Sequence, residues 1–380
     1  MSDQSCSATA RGGLAHRVFS RLSFGLLLAP LCAVAQTAGP GGIAFWSDPA
    51  DGLWFDGLRW GAVLPHQLGP PGELVTGHLP GTTPYTVSLL GQGQAGAVHH
   101  LSIGNPAANL HIVGLSGPGV LEVHGTQIDN QGSVTIGADD ALHDSRLVIA
   151  SHTTAAGSGR LRLLKPSVHE ARIVPANNLG WLLVNGPSHQ IGGRGSIAVA
   201  LRNEGLIEAD LPGGDLLFDG LHAVDNRGIL RARNGGRLRL EMANGDFGIT
   251  QDADAEIVID ADSSALFGNC GNQGLRGGSV RGPGVLTITC QGAPMEAVHL
   301  AESARLGFVG NAGLHIGPAG LRNDGLISSG PSGFITSRFG ESATITGTGR
   351  LQLEGGALSG LFGGAGQALV NGPEHDIGGH

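Results

Sequence analysis

Lysine is almost missing from this sequence of 380 residues: Lys165 stands alone, and every other basic residue is arginine. The 22 basic residues form no stripe, which excludes the electrostatic footprint of a nucleic-acid-binding protein. Beyond the N-terminal segment no stretch approaches the roughly 18 consecutive apolar residues of a membrane helix. Charge is also sparse, at 14% against 41% hydrophobic residues, the reverse of a disordered chain. The formal net charge is −9 without a long acidic run. Gly-X-Y periodicity is absent, so the 67 glycines do not build collagen. Such a glycine content disfavours helix, because each interior Gly costs about 1 kcal/mol relative to Ala.

What is present is export machinery, then repetition. Arg11, Arg17 and Arg21 precede the short apolar run Leu22–Leu31, and Ala33-Val34-Ala35 supplies a small-x-small cleavage pattern before Gln36. That order is the order of a secretory signal peptide over residues 1–35. Leu31 before Cys32 does not suit a lipid-modified cysteine, which takes a small residue there.

Three short units recur. Asn-x-Gly-apolar occurs at Asn203, Asn226 and Asn323, and at Asn130-Gln131-Gly132-Ser133-Val134 with one polar residue intervening before the apolar one. Gly-x-Gly-x-Leu begins at Gly117, Gly157, Gly282 and Gly347. The segment Leu183–Gly193 (LVNGPSHQIGG) returns as Leu369–Gly379 (LVNGPEHDIGG) with nine of eleven positions identical. Gly-x-Gly-Arg-Leu precedes both copies, so the chain carries a superrepeat whose two copies open at Gly157 and Gly347. Asn and Gly tolerate left-handed backbone angles and mark turns. The runs that follow alternate apolar and polar residues, as in Leu238-Arg239-Leu240-Glu241-Met242, which is the strand period. The step from Asn203 to Asn226 has the length of one coil of a solenoid. The expectation is an all-β parallel β-helix of roughly 15 coils, about 70 Å long at ~4.8 Å per strand. A set of β-sandwiches competes with it, but no linker separates such domains.

The organisation expected is signal peptide 1–35, a Trp-rich cap with the first strands over 36–95, and β-helix repeats over 96–380 that end mid-repeat. Trp46, Trp54 and Trp60 are three of the four tryptophans. They suit a lid over the open end of the first coil, and a sugar-stacking platform is the sharper alternative. The step from Cys270 to Cys290 is also close to one coil. Equivalent positions on adjacent coils fall within disulfide reach, so a coil-to-coil disulfide and two stacked thiols are both open.

Several further residues complete the pattern: Val63-Leu64-Pro65 after the tryptophans, then Tyr85-Thr86-Val87-Ser88-Leu89 and Leu101-Ser102-Ile103-Gly104. In this order, with the Asn-x-Gly coils, the chain resembles the passenger-like β-strand repeat proteins, autotransporter passengers and PEP-CTERM-type exported repeat proteins. The resemblance implies a right-handed parallel β-helix at or beyond the cell surface, with a structural or adhesin-like role. It departs from the family at its C-terminus, where neither a membrane barrel nor a sorting helix is found, so the chain reads as C-terminally incomplete.

Parallel β-helices also carry polysaccharide lyases and hydrolases. The Asn-Thr-Asp, Gly-His-Gly and Arg-Ile-Lys motifs of polygalacturonase-like enzymes do not occur. Asp139-Asp140 is the only Asp pair and reads as a solvated turn. Asp252, Asp254, Asp260 and Asp262 lack the glycine spacing of calcium loops. His99 and His100, on opposite faces of a strand, would not share a metal. The functional expectation is a non-enzymatic exported surface protein with no cofactor, no metal and no catalytic residues. Its expected partners are extracellular polysaccharide or a host or neighbouring cell surface. A β-helix enzyme or carbohydrate-binding module is the alternative.

Overall fold

Alternation of inward apolar and outward polar side chains builds the fold. In Tyr85–Leu90, Tyr85, Val87 and Leu89 are buried while Thr86, Ser88 and Leu90 are half-exposed. A computed structural model describes residues 42–379 apart from 62–63, 66–74, 167, 179, 221, 243–247, 269–273, 338–340, 357–359 and 363–365. Residues 1–35, expected to be a signal peptide, and Val63 lie outside the described residues, and so does Cys270. Among those described there are 40 strands, β1 (Ile43–Phe45) to β40 (Asp376–Gly379), and a short 3-10 turn at Ala176–Asn178. No helix among them is long and apolar enough to cross a membrane.

The chain is a parallel β-solenoid, as its repeats imply. Strands of successive turns pair in parallel, for example β17 (Ala200–Asn203) with β20 (Val224–Asn226). A 14-stranded sheet forms the first face, close to the coil number expected. A 26-stranded sheet forms the second and third faces, which are joined because β16 (Gln190–Ile197) runs through both. Asn203 pairs with Asn226, so the step between these two repeat units is one coil. Coil length varies around it. The coil from Leu183 to its register partner Leu201 is short, and the one before it, from Thr153 to Leu183, is long.

The core is a set of stacked apolar columns. On the second face Leu110, Val134, Leu161, Ile191, Ile207, Leu230 and Ile257 lie in register, all fully buried. Each such burial contributes about 1.5–3 kcal/mol against the entropy of ordering the chain. At the N-terminal end Trp46, Trp54 and Trp60 close the first coils. Trp60 meets Trp46 and Trp54 edge-on at 5.2 and 4.9 Å, and its Nε1 donates to Trp54 O at 2.7 Å. All three rings are buried in the core, so a cap is the geometry they form. Stacked sugars need an exposed ring face, which these do not present.

One local expectation is corrected. His99 and His100 do not point to opposite faces: their rings are 4.3 Å apart in edge-to-face contact. They lie in the bend after β5 (Gly96–Val98) rather than on a strand, so strand alternation does not apply.

Candidate binding surface at the shortest coil

The repeated units interlock through a buried polar row. Asn185 Nδ2 donates to Asn203 Oδ1 at 2.7 Å, Asn203 Nδ2 to Asn226 Oδ1 at 2.8 Å, and Asn226 Nδ2 to Gln251 Oε1 at 2.9 Å. All of these side chains are buried. Each link satisfies groups that burial would otherwise leave unpaired at about 1–3 kcal/mol apiece. Before the row stands Asn130, whose Oδ1 is buried without a partner among the described residues. Ile103 stands beside it in register on the preceding coil and offers no donor.

His189 joins this row across an intervening coil. Its Nδ1 donates to Asn185 Oδ1 at 2.7 Å, and its Nε2 lies 3.3 Å from Asn130 Nδ2, two coils back. The coil between presents Gly157-Ser158-Gly159 at that corner, where a Cβ on Gly159 would lie 2.6 Å from Asn130 Cγ. The three repeat units are therefore one device: an Asn coil, a Gly coil that leaves room, and a His coil that reaches over it. Burial pushes His189 down to about 4, so the ring is neutral and Nε2 is free to accept. The second copy repeats the device, with His375 Nδ1 on Asn371 Oδ1 at 2.7 Å and Nε2 3.0 Å from Asn323 Nδ2.

Outside, arginine does the same. Arg160 Nη2 reaches Glu208 at 3.1 Å and Asp210 at 2.8 Å, two coils onward. It passes over Gly192, where a Cβ would lie 2.5 Å from Nη2. Both carboxylates are buried, and Arg233 also binds Glu208 at 2.8 Å. A buried carboxylate needs such partners, because uncompensated burial of its charge costs several kcal/mol.

The coil that holds His189 is the shortest and forms a notch. Most neighbouring coils turn between the second and third faces through a loop, whereas β16 runs straight on. Gly193 at φ +111° makes this possible: a Cβ there would meet Leu163 O at 2.0 Å. The flanking loops overhang the pinched coil and leave a cavity of about 360 Å³ lined by Lys165, Glu170, Arg172, Arg194, Asp215 and Arg239. Its cations are all matched, Lys165 with Glu170 at 2.5 Å within one loop, and the arginines between coils: Arg172 with Asp219 at 2.6 Å, Arg239 with Asp215 at 3.2 Å, and Arg194 with Asp139. A second hollow, of about 430 Å³, includes Glu204, Arg231, Asp260 and Arg281. There Asp260 pairs with Arg231 at 2.8 Å.

The residues singled out from sequence are dispersed. The tryptophans sit at the N-terminal end, Asp139 lies over the notch, and Asp260 is on the second face. Cys290 is disulfide-bonded, and Cys270, the partner its spacing suggests, is outside the described residues. Among the described residues no three His, Cys, Asp or Glu side chains are grouped to hold a metal ion. Sequence reasoning missed Arg160, Glu208 and Asp210. Their only signal was Arg at the same place in both Gly-x-Gly-Arg-Leu units that precede the long repeat. Protein-family models, curated proteins and solved structures yield no significant match to this chain.

Proposed function

We propose that this chain is an exported rod at the cell surface or outside the cell, structural or adhesin-like, of the autotransporter-passenger or PEP-CTERM-type repeat class. The supporting observation is how its outward charges are used. Carboxylates around the notch face arginines of neighbouring coils, from Asp139–Arg194 through Asp219–Arg172 to Asp215–Arg239. A carboxylate whose oxygens are engaged by an arginine in this way is poorly placed to take a proton from, or give one to, a substrate. Charge is thereby used to tie coils together, the requirement of a rod whose units touch only their neighbours. The export reading rests on the residue order in 1–35.

The notch favours a second reading, a carbohydrate-binding or polysaccharide-acting β-helix. Four cations line a cavity of about 360 Å³, enough for part of an anionic sugar chain. Incubating the purified protein with a panel of anionic polysaccharides separates the two readings. The rod reading expects no shortening of any chain by size-exclusion chromatography. Depolymerisation that stops on Arg172→Ala plus Arg194→Ala would replace it with the enzyme reading.

A further inference from the structure

We propose that the notch and a neighbouring hollow on the third face are one trough, strapped across by Arg172 and Asp219, which binds an extracellular carboxylated polysaccharide, a polyuronate. The proposal rests on the exported-rod reading and deepens it by naming what the rod holds.

The trough follows from the pinched coil. On the third face β16 lies between β14 (Ala171–Pro175) and β19 (Asp215–Gly220), in the register Arg172–Ser196–Leu217. Its outward residues there, Ser196 and Ala198, are small, so its surface sinks between taller neighbours. The cavity of about 360 Å³ lies over Gly195 and Ser196, with Glu170 on one wall and Asp215 and Leu217 on the other. A further hollow of about 300 Å³ lies over Ala198, between Val174 and Pro175 on one wall and Asp219 and His222 on the other. Arg172 and Asp219 line both. The Arg172 guanidinium crosses β16, its Nε donating to Ser196 Oγ at 3.0 Å and its Nη2 to Asp219 at 2.6 Å. Both side chains of this strap are partly exposed. Such a pair adds little to stability, so a ligand carboxylate that takes the place of Asp219 on Arg172 opens the trough at small cost.

The lining selects the occupant. Among the described residues five cations, Lys165, Arg146, Arg172, Arg194 and Arg239, stand against three carboxylates, Glu170, Asp215 and Asp219. Arginine forks match carboxylates in bidentate geometry, and carboxylates accept from sugar hydroxyls. Val174, Pro175 and Leu217 offer apolar surface to the C–H face of a ring. A uronate chain carries a carboxylate and hydroxyls on each ring and so meets both kinds of group. A nucleic acid would bring phosphates against the three carboxylates. An extended peptide docks by pairing with a free strand edge, and the floor of the trough is already paired on both sides.

Isothermal titration of the full chain with polygalacturonate oligomers tests this, with the same oligomers reduced to the neutral sugar as control. The proposal expects micromolar binding, weaker by about tenfold or more for the reduced oligomers. Asp219→Asn frees Arg172 and should tighten binding about threefold, a gain that a merely structural ion pair would not give. Arg172→Gln should weaken binding about tenfold, and so should Ala198→Phe, which fills the floor without altering charge. Urea unfolding establishes that each variant is folded. No binding overturns the proposal, as does equal binding of the reduced oligomers or of polyphosphate. Binding untouched by Arg172→Gln and Ala198→Phe, or no tighter in Asp219→Asn, overturns it too. Shortening of the oligomers on binding would instead overturn the rod reading and keep the trough, so the two fail separately.

Discussion

The two copies of the long repeat share nine of eleven residues yet occupy different corners of the solenoid. The first, Leu183–Gly193, turns from the first face to the second through β15 (Leu182–Asn185) and β16. The second, Leu369–Gly379, turns from the second face to the third through β39 (Leu369–Asn371) and β40. In both, His donates to the Asn four residues before it and faces an Asn two coils back. In both, the residue after that distant Asn binds the Gly-x-Gly turn of the next coil: Gln131 holds Ser158, and Asp324 holds Thr348. The repeat therefore encodes a corner and its two preceding coils, not a position on a particular face. What differs is the setting of the arginine: Arg160 is drawn down onto buried carboxylates, whereas Arg350 pairs with Asp376 among the described residues and is largely exposed.

Equal substitutions in the two copies would break or sharpen this comparison. The largest difference is expected at the pinch. Gly193→Ala places a Cβ 2.0 Å from Leu163 O at φ +111° and should destabilise by about 3 kcal/mol or more. Gly379→Ala has a similar clash, 2.2 Å from Leu353 O, but among the described residues its strand pairs with β37 (Arg350–Leu353) alone, so a loss nearer ~1 kcal/mol is expected. Urea unfolding of both variants measures this, and equal losses would mean that pairing on the other side adds no constraint.

Next comes the histidine. His189→Ala strips partners from buried Asn130 and Asn185 and should cost about 2–3 kcal/mol. His375→Ala should cost about half as much in the same measurement, because its coil is partly open to water. Protonation probes the same site without mutation. Burial lowers His189 from 6.5 to about 4, so the unfolded chain takes up its proton first as pH falls. Stability from this group is then full above pH 6.5 and is lost down to about pH 4, on the order of 3 kcal/mol in all. Asp324 gives a separate, lower window. The Thr348 backbone N–H is the main cause that holds it at about 2 rather than 3.8, so its contribution persists above 3.8 and fades towards 2. Unfolding free energy measured from pH 7 to 4 should flatten in His189→Gln; an unchanged slope would move the effect to another group.

The smallest difference is expected outside. Arg160→Ala leaves Glu208 with Arg233, and Asp210 with Arg162 at 3.6 Å, so about 1–2 kcal/mol should be lost. Arg350→Ala removes an exposed pair and should change stability by less than about 0.5 kcal/mol. Salt titration of the melting temperature should separate them, with little screening at the buried pair.

Much of the fold was legible because a solenoid is local in sequence. Asn203 and Asn226 mark one coil, and alternation such as Leu238, Leu240 inward with Arg239 outward names the core. The tryptophans announced the cap by bulk alone. The candidate surface was much less legible. His189 and Asn130 are 59 residues apart, and Arg160 and Asp210 are 50 apart. No local period links such pairs, because the coil between them contributes only glycine at the crossing point. The His99–His100 contact was misread for the opposite reason: a strand rule was applied to a bend.

By itself the sequence determined the class of structure, through turn residues that set the coil spacing and apolar alternation that chose the inward side. Tertiary structure alone decided which corner each repeat occupies, which charges are buried, and where the rod is pinched. The physical reason is stacking. A coil's local pattern says which residues face inward or outward, but its partners lie one or two coils away. Because the coils are unequal in length, as the short step from Leu183 to Leu201 after the long one from Thr153 shows, only their accumulated lengths bring those partners into register.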